Sequence, residues 1–206
     1  GLYARYNTNL SRIHYKGIDL GKDILNNIRD WQVCASIDGT GAIGEYIRTG
    51  LKYEQFVDNF RSLLPLARNK RMMRLDYTLT LPGMFDVENM QALANQLDVD
   101  ILAKTIFTFT PDIIMSPLAL PRKILDQFVD QLIKNNSLGR ALADVLTQLK
   151  NRPTMQEQWP EEYIQGMRKG KKRVHTLERI RNDKFTMRDI LSKDKEILDW
   201  WESIDA

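Results

Sequence analysis

The chain has 206 residues, 43% of them hydrophobic, enough for one substantial core or for one domain with a helical tail. No stretch reaches the roughly 18 consecutive apolar residues of a membrane helix, and the start lacks the basic-then-apolar order of a signal peptide, so a cytoplasmic protein without a membrane partner is expected. A net charge of +3 is too small to point to nucleic acid by itself. The single cysteine, Cys34, excludes an internal disulfide and cannot alone supply a structural zinc site or an iron-sulfur cluster.

In chain order, Leu2-Tyr3-Ala4-Arg5-Tyr6 already has strand character with no polar lead-in, and the chain opens on Gly1. A piece of a longer protein is therefore expected. Strand patterns recur at roughly residues 3–9, 31–38, 72–81 and 101–110, separated by helical patterns, which is the signature of βαβ units and a parallel sheet. Asp19 is placed to cap a helix running to Asp30, with Ile18, Leu20, Ile24, Leu25 and Ile28 as its apolar side. A second helix spans Tyr53 to Arg68, with Phe56, Val57, Phe60, Leu63, Leu64 and Ala67 on one face. A third starts at Asp86, with Val87, Met90, Leu93, Ala94 and Leu97 facing inward.

A parallel strand covered on both sides should be apolar on both sides. The second strand instead sets Val33, Ala35 and Ile37 against Cys34, Ser36 and Asp38. The third sets Leu75, Tyr77, Leu79 and Leu81 against Arg74, Asp76, Thr78 and Thr80. One face of the sheet is thus polar, as in a barrel built around a ligand. The fold class expected is α/β: a partial (β/α) barrel of about four parallel strands. After Leu120-Pro121 the pattern becomes helical, with a stripe of Ile124, Leu125, Phe128, Val129, Leu132 and Ile133, a break at Asn135-Asn136-Ser137, and another helix from Leu138 to Lys150. Residues 122–206 are expected to be a helical extension packed on the barrel of residues 1–121.

Gly39, Gly41 and Gly44 spell G-x-G-x-x-G directly after a strand, the form of a dinucleotide-binding loop. The context disfavours that reading. Gly50 stops the following segment after about one and a half turns, and the next strand ends Thr78-Leu79-Thr80-Leu81-Pro82, with no carboxylate for a ribose hydroxyl.

Read whole, Ser36-Ile37-Asp38-Gly39-Thr40-Gly41 followed by Glu45-Tyr46-Ile47-Arg48-Thr49-Gly50 resembles radical S-adenosylmethionine enzymes of the twitch/SPASM-like group. Tyr6-Asn7-Thr8-Asn9 upstream resembles that family's Asn-Thr-Asn strand end, and Phe56 to Asn59 the helix after its Tyr-Ile-Arg segment. Met115-Ser116-Pro117-Leu118-Ala119-Leu120-Pro121 is similar to the exit of its last strand, and Leu177 to Arg181 and Ile197 to Trp201 to its closing helices. The matched pieces are short but occur in the family's order along nearly the whole chain.

The resemblance implies that Ser36 and Asp38 bind S-adenosylmethionine, that Arg48 pairs with the methionyl carboxylate, and that Asn7 and Asn9 reach cofactor or substrate. Arg74, Asp76 and Thr78, with Thr108 on the last strand, are the candidate substrate pocket. The family's Cys-x3-Cys-x2-Cys and Gly-Gly-Glu segments are missing, so a 4Fe-4S cluster is expected only in a full-length parent. The chain is then the C-terminal half of the barrel, inactive alone, whose partners are the missing N-terminal half and a peptide or small-molecule substrate. The parent is expected to generate a 5'-deoxyadenosyl radical.

Simpler readings stand beside these. Asp38-Gly39 can be a strand-ending turn with Asp38 as a cap, Arg48 a surface charge, and Cys34 a small packing residue. Arg168, Lys169, Lys171, Lys172 and Arg173 form a basic run that suits a solvated helix face, or a nucleic-acid-binding or adaptor protein on an α/β scaffold.

Overall fold

The alternating segments do fold as strands in the computed structural model, which describes residues 3–106, 108–135 and 137–205. Leu2 of the first expected strand, Phe107 of the last and Asn136 of the expected helix break lie outside the described residues. β1 (Tyr3–Thr8) is followed by a short antiparallel hairpin, β2 (His14–Tyr15) and β3 (Ile18–Asp19). Its turn residues Lys16 and Gly17 have φ of 50° and 80°, the paired positive values that a two-residue hairpin turn requires. This hairpin takes up part of the segment where the sequence predicts the run-up to a helix.

Asp19 is indeed a cap, its carboxylate accepting from the Lys22 amide at 2.7 Å. The helix after it is broken, however. Leu20–Ile24 is a π-type turn and Leu25–Asn27 a 3₁₀ turn. Leu25 alone of the predicted apolar side is fully buried, while Ile18 is exposed, so tertiary burial supports only one turn of that stripe.

β4 (Asp30–Ile37) leads through α1 (Gly41–Ile47) and α2 (Tyr53–Leu63) to β5 (Met73–Leu79), and α3 (Val87–Leu97) connects β5 to β6 (Asp100–Thr105). Among the described residues these strands form a four-stranded parallel sheet in the order β1-β4-β5-β6, a partial barrel that is not closed. The stripes read from the sequence are buried except at the end of α2, which stops at Leu63 rather than Arg68; Leu64 and Ala67 fall in and after a 3₁₀ turn begun before Pro65 and are only half-buried. Phe56, Val57, Phe60 and Leu63 of α2, and Val87, Met90, Leu93, Ala94 and Leu97 of α3, are all below one-tenth exposed. Each of these side chains other than Ala94 contributes about 1.5–3 kcal/mol by leaving water.

The chain divides into two compact units, Gly1–Thr78 with Asn89–Ala103, and Leu79–Glu88 with Lys104–Ala206. Residue 121, where the sequence pattern changes, lies inside the second. The second unit is helical: α4 (Arg122–Lys134), α5 (Arg140–Lys150), α6 (Met155–Gln158), α7 (Tyr163–Arg181), α8 (Met187–Leu191) and α9 (Lys195–Ser203). Capping boxes fix two of these starts, Thr154 with Glu157 at α6 and Thr186 with Asp189 at α8. Its core holds a hydrogen-bonded pair of aromatics: the Tyr163 hydroxyl donates to the Ala119 carbonyl at 2.7 Å and accepts from Trp200 Nε1 at 3.1 Å. Burial pushes the Tyr163 phenol up to about 12.

Candidate functional site: the polar edge of the sheet

Register determines which polar residues meet. Asn7 pairs with Cys34 and Cys34 with Arg74, so these form one row; Ser36 pairs with Asp76 in the next row toward the carboxyl ends of the strands. The two faces differ as the alternation predicts. Val33, Ala35, Ile37, Met73, Leu75 and Tyr77 are fully buried, whereas Ser36, Arg74, Asp76 and Thr78 are half-buried and Asn7 is exposed. Cys34 departs from its row. It is fully buried, its thiol 3.6 Å from Gln32 Oε1, in keeping with the packing role.

Asp38 and Arg48 come together, but on each other. Arg48 Nε donates to Asp38 Oδ2 at 2.7 Å and Nη2 donates to Oδ1 at 3.2 Å, the forked geometry that a guanidinium makes with a carboxylate. The Thr78 backbone amide donates to the same Oδ1 at 3.2 Å. Asp38 therefore ties the end of β4 both to the residue that ends α1 and to β5. The fork expected to hold a ligand carboxylate already holds one from the protein. A sequence shows that arginine can reach a carboxylate; only the fold shows which one.

The glycine loop has a steric explanation. A Cβ on Gly44 would stand 2.1 Å from the Gly39 carbonyl oxygen, so glycine is required for α1 to lie against the loop that feeds it. Gly41 has a φ of 46°. α1 is only seven residues long, as the early glycine at Gly50 predicts.

The other candidates are more scattered. Asn9 lies beyond β1, where its Oδ1 accepts from the Ser11 amide at 3.1 Å and shapes the turn. Thr108 lies past the end of β6 and belongs to the second unit, whereas Arg74, Asp76 and Thr78 belong to the first. Thr80 is buried and its hydroxyl accepts from the Gly83 amide at 2.9 Å, closing a 3₁₀ turn at Pro82–Asp86.

The basic run on α7 is largely spent within the second unit. Lys169 and Arg173 lie 3.1 and 3.2 Å from Asp112, and Arg168 lies 3.4 Å from Asp205. Lys171 is buried, donating to the carbonyls of Trp201 and Ile204 at 2.8 Å each, and burial pulls its ammonium below the usual lysine range. The Thr110 hydroxyl, with Lys169 and Arg173, holds the Asp112 carboxyl down at about 2.

This Asp112 cluster lies in a groove of about 570 Å³ between the Thr110–Ile113 loop and α7. It was not anticipated from the sequence. The available signal was the spacing of Gly166 and Gly170, four residues apart on one helix face. A Cβ on Gly166 would stand 2.3 Å from the Pro111 carbonyl oxygen, so these glycines mark where the loop crosses the helix.

Among the described residues, no group of three or more His, Cys, Asp or Glu is placed to hold a metal ion, and no helix is long and apolar enough to cross a membrane. No known protein family, curated protein or solved structure matches this chain.

Proposed function

We propose that this chain is the C-terminal part of a radical S-adenosylmethionine enzyme of the twitch/SPASM-like group. It contributes part of the cofactor and substrate pocket of a parent that forms a 5'-deoxyadenosyl radical on a peptide or small molecule. The observation that supports this reading is the polar face of the parallel sheet, with exposed Asn7 and half-buried Ser36 near the carboxyl ends of adjacent strands, where open α/β sheets receive ligands.

The donor set fits the cofactor in part. Amide and hydroxyl groups of Asn7, Ser36 and Thr78 suit ribose hydroxyls and an ammonium group. S-adenosylmethionine would bring to that edge a sulfonium whose carbon-sulfur bond can be cleaved by one electron. Arg48 does not fit the carboxylate role, because its fork is closed on Asp38. The donor set does not fit a 4Fe-4S cluster either: one fully buried cysteine cannot supply its thiolates, so cluster ligation is assigned to the parent alone.

Titration of S-adenosylhomocysteine into the purified chain tests the reading. Saturable binding that Ser36→Ala and Asn7→Ala each weaken is expected. Absence of binding at millimolar ligand overturns it. The nucleic-acid or adaptor alternative is not adopted, since Arg168, Lys169, Lys171 and Arg173 already have partners in the fold.

A further inference from the structure

The groove of about 570 Å³ between the Thr110–Ile113 loop and α7 lies wholly within the second unit and plays no part in the function proposed above. Its charges are unevenly matched. Lys169 and Arg173 share the one carboxylate of Asp112, at 3.1 and 3.2 Å, so one positive charge is left over. Both cations also keep a solvent-facing side. Lys169 is 69% and Arg173 57% exposed, and each places a single nitrogen on Asp112, which leaves most of the ammonium and guanidinium N–H groups open to a ligand.

Glu162 supplies the opposite charge. It lines the same groove, is exposed, and has no ion-pair partner among the described residues. Glu162 at the N-cap of α7 is followed at i+4, i+7 and i+11 by Gly166, Lys169 and Arg173, so the four stand along one face of the helix. The helical rise from Glu162 to Lys169 puts about 10 Å between the negative and the positive end. Between the ends, Gln165 offers an exposed amide, and half-buried Pro111 and Ile113 are the apolar part of the lining.

We propose that this groove binds a short zwitterionic peptide of about three residues, its terminal ammonium at Glu162 and its terminal carboxylate at Lys169 and Arg173. Three extended residues span about 10 Å, which matches the separation of the charged ends. A free amino acid carries its two charges on one residue and cannot reach both. The Gln165 amide can donate to a peptide carbonyl and accept from a peptide N–H, which favours a peptide over a hydrocarbon chain of the same length. A single residual positive charge with a carboxylate opposite it disfavours phosphate and nucleic acid. The proposal is independent of the S-adenosylmethionine reading, which rests on Asn7, Ser36 and Thr78 in the first unit, so either can fail alone.

The test is a titration of the ¹⁵N-labelled intact chain with trialanine at neutral pH and constant ionic strength, followed at the assigned amides of Gln165 and Gly166. Saturable shifts are expected. Acetylating the peptide amine or amidating its carboxyl removes one charge, and each is expected to weaken binding about threefold, the scale of a partly exposed ion pair. Dialanine, too short for both ends, is expected to bind as weakly. Glu162→Gln is expected to weaken trialanine and leave the acetylated peptide unchanged; Arg173→Gln is expected to weaken trialanine and leave the amidated peptide unchanged. A variant that had lost its fold would instead weaken every peptide alike, so this selectivity reads the two contacts themselves. Absence of saturable shifts at millimolar peptide overturns the proposal. So does equal binding of the free, acetylated and amidated peptides, or a larger response to inorganic phosphate.

Discussion

Asp38 was legible as the polar end of a strand, and so was the arginine ten residues later; that the two close on each other was not. The pairing has a measurable consequence. The pair is only partly shielded, with Arg48 at 30% and Asp38 at 11% side-chain exposure, so its coupling should be moderate. A double-mutant cycle of Asp38→Asn and Arg48→Gln in urea denaturation is expected to give a coupling of about 1–2 kcal/mol. A coupling indistinguishable from zero would show that the fork is not held in solution. Tyr163 offers a second case at this scale. Its hydroxyl both donates to Ala119 and accepts from Trp200. Tyr163→Phe therefore strands a buried indole N–H and a carbonyl, and is expected to lower stability by about 1–3 kcal/mol in the same assay. Tyr163 and Trp200 are 37 residues apart, and nothing in their local sequence pairs them.

At the scale of elements, periodicity succeeded where burial is one-sided and failed where the backbone is constrained by neighbours. The stripes of α2 and α3 were readable because each helix buries one face only, and that face must repeat at helical spacing. The segment after Asp19 carried a similar stripe, yet a hairpin ending at Asp19 and two non-α turns stand there instead of a regular helix. Its cap was correct; its propagation depended on packing that one local pattern does not encode. The helix-loop crossing at α7 makes a prediction of its own. Gly166→Ala puts a Cβ against the Pro111 carbonyl oxygen and is expected to cost about 1–3 kcal/mol, more than the same change at Gly50, where no atom lies within 4 Å and only the positive φ of 85° resists. Thermal denaturation of the two variants checks the order. Equal losses would mean that the loop moves aside freely.

For the molecule as a whole, the charge count hid how the charges are used. Arg122 ties α4 to Glu157, the N3 residue of α6, through Nη2–Oε2 at 2.8 Å and Nε–Oε1 at 3.2 Å. Arg122 foremost, with the Thr154 amide, holds the Glu157 carboxyl down at about 2; Thr110 foremost, with Lys169 and Arg173, does the same for Asp112. Both carboxyls bind protons less readily folded than unfolded. Their contribution is thus fully present above the unfolded values of 4.5 and 3.8 and is lost as pH falls toward about 2. The melting temperature is expected to drop across that window, and Glu157→Gln to flatten part of the slope. A melting temperature that stays level from pH 5 to 2 would contradict these pairings. The basic run belongs to the same account. Its five clustered cations left a nucleic-acid face as one reading, while the fold spends four of them on carboxylates and carbonyls of its own unit.

The sequence by itself determined the α/β class, the parallel strands and their alternating faces, because side-chain period and burial are local consequences of residue order. It also located the polar edge at Ser36 and Asp38, since a polar residue in a covered strand needs a reason. Only the tertiary structure decided which partners those polar groups take. Hydrogen bonds and ion pairs join residues distant in the chain, and their geometry exists only once strands are in register and loops have closed. Asp38 thereby became a clamp on Arg48 and Thr78, while the Nε of Arg74, one row below Ser36, is buried without a hydrogen-bond partner among the described residues.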